Sequence, residues 1–117
     1  MRVTSALWVG AYVRRCYTEG AIATVARRGA EEAGAILVIV DWLDGTADLF
    51  GPAPQSFFDD SKPADRLFQR VMARVARAPI TERIAREMRF DPDLWIVEVE
   101  NKQGRSFLDL VDDRTPG

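Results

Sequence analysis

The sequence predicts an α+β fold: one domain, residues 1–117, with a mainly antiparallel sheet packed with two or three helices. Within the sheet a three-stranded meander is expected, plus further strands. Three observations carry this. Residues 5–18 place Trp8, Val9, Tyr12, Val13, Cys16 and Tyr17 at i, i+1, i+4, i+5, i+8, i+9, one apolar stripe of helical period. Residues 35–43 are apolar on both faces of an extended chain, the mark of a strand covered on both sides. Asp44-Gly45 then separates that run from a short apolar return, a hairpin signal.

Each element follows from its residues. Thr4 or Ser5 can cap the first helix, and Gly20 supplies the left-handed residue that ends it. Gly10 lies inside this helix at a cost near ~1 kcal/mol, which suggests close backbone packing there. Residues 21–28 read as a strand, and Gly29 to Gly34 as a turn. Residues 35–43 and 46–50 complete the meander through a type I′ turn at Asp44-Gly45. Gly51-Pro52-Ala53-Pro54 cannot continue a ladder, because proline donates no hydrogen bond, so residues 51–64 read as a loop pinned by Phe57 and Phe58.

Residues 65–77 fit two patterns. Leu67, Phe68, Val71, Met72 and Val75 suit a helix, and the same run can alternate as a strand; periodicity favours the helix. Residues 80–90 form a clearer helix with Ile80, Ile84 and Met88 on one face and Glu82–Arg86 and Arg83–Glu87 at i,i+4 spacing. Pro92 ends it. Leu94 to Glu100 is a strand with Trp95, Val97 and Val99 on its buried face, and Phe107 to Leu110 can add a short final strand. Residues 112–117 read as a frayed tail.

Composition excludes several chemistries. The chain has no histidine and one cysteine, Cys16. A Ser-His or Cys-His nucleophile pair and a Cys/His zinc site therefore cannot form within one chain, and an internal disulfide is impossible, which fits a reducing cytoplasm. Neither a signal peptide nor a membrane-length apolar run is read, and Arg14-Arg15 lacks the apolar segment that would follow in a twin-arginine signal. The net charge of −2 gives no nucleic-acid or membrane signal. The distribution is uneven: residues 62–90 carry eight basic and three acidic side chains, and residues 91–117 carry seven acidic and three basic. The arginines are expected to pair with that acidic third.

On these segments the chain resembles the uncharacterised alphaproteobacterial domain-of-unknown-function 1491 family. The resemblance rests on Leu7-Trp8-Val9-Gly10-Ala11-Tyr12 with Arg14-Arg15, on Ala33 to Val38, on Leu43 to Ala47 and on Gly51 to Gln55. The most specific piece is Phe90-Asp91-Pro92-Asp93-Leu94-Trp95-Ile96-Val97-Glu98-Val99-Glu100. It covers almost the whole chain and brings no activity, cofactor or partner. It does imply a strand over residues 66–73.

The acidic stretch also contains Pro92-Asp93 and Glu100-Asn101-Lys102, the letters of a metal-dependent nuclease. Two carboxylates sharing one cation must both approach it within ~2.3 Å, whereas seven residues of one strand separate Asp93 from Glu100 by roughly 23 Å. The spacing rules the nuclease out, and the residues name no cofactor and no metal. The contact candidates are Arg86, Arg89, Asp91, Asp93 and Trp95 at the helix-to-strand corner. Asp91 reads first as a turn cap, and Glu98 and Glu100 as a solvated face or a charge-guarded edge. The leading functional expectation is a small cytoplasmic interaction module without catalysis that self-associates as a homodimer or binds another protein. The alternatives are a nucleic-acid-associated protein using the arginines of residues 66–89, and an enzyme built on carboxylates alone.

Overall fold

The computed structural model describes residues 3–54 and 66–111. The chain order is α1 (Ser5–Thr18), β1 (Ile22–Arg27), β2 (Ile36–Asp41), β3 (Ala47–Pro52), β4 (Phe68–Val75), α2 (Arg77–Phe90) and β5 (Trp95–Glu100). The α+β class is as the sequence predicts, and so is the helix–strand–strand–strand–strand–helix–strand order once residues 66–73 are taken as the strand the family resemblance implies.

The five strands form one sheet in the order β1-β5-β2-β3-β4. A three-stranded antiparallel meander exists, but it comprises β2, β3 and β4. The expected β1–β2 pairing is absent, because β5 enters between them, antiparallel to β1 and parallel to β2. The reason is burial: β5 is apolar on both faces at Trp95, Ile96 and Val97 and takes a central place. β1 carries exposed Ile22, Thr24 and Ala26 and goes to the edge. β5 is therefore no charge-guarded edge.

The two helices cover opposite faces. α1 buries Val9, Tyr12 and Cys16 against Ala23, Val38, Phe50, Phe68, Trp95 and Val97. α2 buries Ile80 and Ile84 against Leu37, Ile39, Leu49 and Ile96, with Met88 beside them. β2 contributes alternate residues to each core and is buried along Ile36–Val40. Thr4 caps α1 by accepting the Leu7 N–H, and Gly20 at φ 88° closes it. Gly10 is not closely packed: a Cβ there would meet only the Arg14 guanidinium, at 3.8 Å.

Four local expectations are corrected. The Asp44-Gly45 turn is not a two-residue type I′ turn. Leu43 and Gly45 hold positive φ, and Asp44 does not. Trp42 N–H instead bonds the Thr46 carbonyl, while Asp41 and Asp44 carboxylates accept the Leu43 and Thr46 N–H groups. Acidic side chains here replace the ladder. β3 continues through Gly51 and Pro52, paired with Gln69 and Phe68. Its register with β2 stops at Phe50, so Pro52 lacks a neighbour on that side and its missing N–H leaves no gap. Residues 68–75 are a strand, as the family resemblance implies, and not the helix that periodicity favours. Phe107 to Leu110 makes one bridge, Leu110 to Phe68, and no strand. The expected anchor residues Phe57 and Phe58 and the tail at 112–117 lie outside the described residues. α2 starts three residues earlier than predicted, with no side-chain cap at Ala76 and with Pro79 in its first turn, where a missing N–H is tolerated.

Candidate functional site

The predicted contact residues sit at the corner where α2 gives way to β5, but they do not converge. Arg86, Arg89 and Asp93 are exposed, and Asp91 is half-buried. Asp91 accepts the Asp93 N–H at 3.0 Å, the turn-capping role its residue type suggests. Among the described residues no ion pair joins Arg86 or Arg89 to Asp91 or Asp93. Arg83 pairs with Glu87 at 2.9 Å, while Glu82 and Arg86 do not pair.

The inner side of that corner is tightly built. Trp95 is 1% exposed; its indole N–H donates to the Ala30 carbonyl at 2.7 Å, and the Arg28 guanidinium lies 4.9 Å from its ring centre. Ala30 N–H returns to the Asp93 carbonyl at 3.0 Å. Gly29 and Gly34 both approach that carbonyl so closely that a Cβ on either would stand 2.1 or 2.4 Å from its oxygen. Arg27 donates to the Leu94 carbonyl at 2.6 Å. Trp95 is thus a core anchor of the turn rather than a contact residue.

The arginine stripe of β4 is engaged within the fold, chiefly with β3 and its hairpin and not with the acidic last third. Asp48, 1% exposed, accepts the Arg74 N–H at 2.6 Å where β4 bulges against β3. Arg70 lies 3.8 Å from the same carboxylate and over the Phe50 ring. Arg74, at φ 46°, pairs with Asp44 and lies 3.9 Å from the Trp42 ring centre. Arg77 does reach the last third, with two bonds to Glu98, and approaches Asp41 at 3.5 Å. Those Glu98 bonds, followed by the neighbouring carboxylates, raise the Arg77 pKa.

Asp93 and Glu100 stand at opposite ends of β5, so the nuclease-like letters share no site. Among the described residues no group of three or more Cys, Asp or Glu could hold a metal ion. Cys16 is fully buried, and that burial raises its thiol pKa. Tyr12 is raised by the same cause; its hydroxyl donates to the Ser106 carbonyl at 2.6 Å. Neither group is placed for chemistry.

The surface offers two further features. A cleft of about 500 Å³ runs past Thr4, Glu32 to Ile36, Pro52, Ala53 and Arg66 to Phe68. At its floor the first amides of α1, Ser5 and Ala6, already donate to the Glu32 and Glu31 carbonyls, so this helix start offers them to no anion. The second feature is the sheet margin. β4 is a guarded edge, with two register shifts, a left-handed Arg74, and Phe68 N–H bonded to the Asp109 carbonyl. β1 is different. It pairs on one side only, with β5, and among the described residues its outer side takes no backbone partner. Ile22 at its start and Leu43 beside it are 52% and 50% exposed and line one hollow.

The family pattern described as "Protein of unknown function (DUF1491)" matches residues 3–109. The chain belongs to the DUF1491 family. The solution structure of protein Atu0922 from A. tumefaciens is 44% identical over 99% of this chain and 98% of that one, with a TM-score of 0.83. The crystal structure of a DUF1491 family protein from Caulobacter crescentus CB15 is 36% identical over 94% of this chain and 98% of its own, with a TM-score of 0.76. An NMR structure of a DUF1491 family protein from the same bacterium is 38% identical, covers 94% of this chain and 97% of its own, and has a TM-score of 0.73. No curated protein matches.

Two features of this DUF1491 chain escape sequence reasoning. Asp48 is one carboxylate in a mixed strand, and only the β4 bulge opposite it shows why it is buried. The open edge of β1 depends on β5 having displaced it from β2. Its weaker apolar content, Ile-Ala-Thr-Val-Ala-Arg, is the one signal that could have marked it as an edge. No helix among the described residues is long and apolar enough to cross a membrane.

Proposed function

We propose that this protein is a small cytoplasmic interaction module without catalysis, and that its contact surface is the outer edge of β1 with its exposed Ile22. One observation carries the reading: of the sheet's two margins, β4 is broken by two register shifts and a left-handed Arg74, whereas β1 runs regularly from Ile22 to Val25 and shifts once, at its end. An extended margin with unpaired N–H and C=O groups is a template for another strand. β1 holds no proline and no lysine, and its one charge, Arg27, is turned inward onto the Leu94 carbonyl. The absence of histidine and the pairing of Arg70 and Arg74 with Asp48 and Asp44 weaken support for the enzymatic and nucleic-acid alternatives.

The test is native mass spectrometry of untagged protein purified gently, beside Ile22→Lys. A lysine on an edge strand disfavours strand addition and leaves the core untouched, since Ile22 is half exposed. The expected result is a bound polypeptide, either a second copy or another chain, on the parent and none on the variant. A parent free of any polypeptide at every loading, or a complex indifferent to Ile22→Lys, refutes the assignment.

A further inference from the structure

Resting on that reading, we propose that the partner of β1 is a second copy of the same chain, paired antiparallel β1 to β1 about a twofold axis at Thr24. The seam would extend two five-stranded sheets into one.

Three observations fix the register. β1 pairs regularly with β5 from Ile22 to Val25, and Ala26 stands unpaired before the ladder resumes at Arg27. Of axes on a residue, Thr24 is the one that pairs Ile22 to Ala26 among themselves. Centring there sets Thr24 opposite Thr24, Ala23 opposite Val25 and Ile22 opposite Ala26. Moving the axis to Ala23 draws Gly20, at φ 88°, into the ladder, where an extended residue is needed. Moving it to Val25 sets Ile22 against the charged Arg28.

Faces match as well. Ala23 is buried in the α1-side core and Val25 packs against it. Ile22, Thr24 and Ala26 are exposed on the other face, where α2 does not reach. Directly opposed residues of antiparallel strands share a face, so this register joins buried to buried and exposed to exposed. Ile22 gains the small apolar Ala26 of the partner.

Charge gives the third observation. The Thr24 axis brings the Arg28 end of each copy toward the Glu19 end of the other, and both residues are exposed. The contact is complementary and occurs twice by symmetry. A seam of five residues lies in the small class of interfaces, under ~1,200 Å², so the dimer is weak and concentration-dependent.

The experiment is sedimentation equilibrium of the full chain from about 5 to 500 µM, on the parent, on Glu19→Arg, on Arg28→Glu, on the double reversal and on an equimolar mixture of the two single variants. The parent is expected to shift from monomer to dimer with concentration. Each single reversal replaces two attractions by two repulsions and weakens the dimer about tenfold. The double reversal restores it, and the two single variants pair with each other better than either does with itself. Glu19→Arg, which leaves Arg28 on Trp95, keeps the test sound if Arg28→Glu disturbs that contact. In a sample of mixed isotopic labelling, contacts between copies are expected from Ile22 to Ala26.

A dimer unaffected by either reversal is held elsewhere and overturns the seam. A parent that stays monomeric but carries a different polypeptide lost in Ile22→Lys overturns the second copy and leaves the interaction module standing. A parent with no partner at all overturns both.

Discussion

Two glycines of this chain should respond to alanine in opposite directions. Gly29 lies in the turn before β2, and a Cβ there would sit 2.1 Å from the Asp93 carbonyl oxygen and 2.6 Å from the Leu94 carbonyl carbon. Those are backbone atoms and cannot swing aside. Clearing them requires the turn to move by more than 1 Å, roughly the shortfall from ordinary contact near ~3.5 Å. Such a shift stretches the Ala30-to-Asp93 bond at 3.0 Å and the Trp95-to-Ala30 bond at 2.7 Å. Overpacking contributes ~1–3 kcal/mol and two lost bonds about 1 kcal/mol each, so Gly29→Ala should destabilise by about 3–5 kcal/mol. For a chain of this size that is a fall of roughly 12–20 °C in Tm. Gly10 sits in the interior of α1, where the nearest atom to a new Cβ is the mobile Arg14 guanidinium at 3.8 Å. Gly10→Ala should stabilise by about 0.5–1 kcal/mol, the difference in helix propensity. Urea unfolding of the three proteins, with equal m-values, measures both effects. A Gly29→Ala midpoint indistinguishable from the parent would refute the close approach, and a destabilised Gly10→Ala would show a neighbour at α1 that the fold does not contain.

Three further outcomes are expected. Trp95→Phe should destabilise by about 2–3 kcal/mol, through a cavity and an Ala30 carbonyl left without its indole donor; calorimetry showing under ~1 kcal/mol would contradict that anchor role. Burial raises the pKa of Cys16 and Tyr12, so the unfolded chain ionises at a lower pH than the native one. Stability should be full below about pH 8.5 and decline as pH rises through the unfolded thiol and then the unfolded phenol range, near ~10, with native Cys16 inert to a thiol reagent at neutral pH. A flat alkaline profile would refute it. Asp44 is held below the ordinary carboxylate range, first by the Thr46 hydroxyl, then by the Thr46 N–H and by Arg74. Its contribution should be present above about pH 4 and be lost as pH falls through the lower native value, which carbon-13 titration of the Asp44 carboxyl checks. An Asp44 titration at or above the ordinary value would sink this.

The sequence by itself determined α1, the first three strands, α2 and β5 in their order. The helical stripe through Val9, Tyr12 and Cys16, the doubly apolar run from Ile36, and the proline after Asp91 are local signals, set by side-chain period and backbone restriction. The resemblance further implied that residues 68–75 are a strand, where periodicity favours a helix. The tertiary structure alone decided which strands meet. Pairing of β5 between β1 and β2 joins residues 59 to 78 positions apart, and no local pattern encodes such a choice; it follows from burying the most apolar strands at the centre. The same choice hides Trp95 behind the Ala30 turn, and the pairing of β3 with β4 buries Asp48 opposite a bulge. The margin that carries the proposed contact is likewise a product of topology: β1 is an edge because β5 is not.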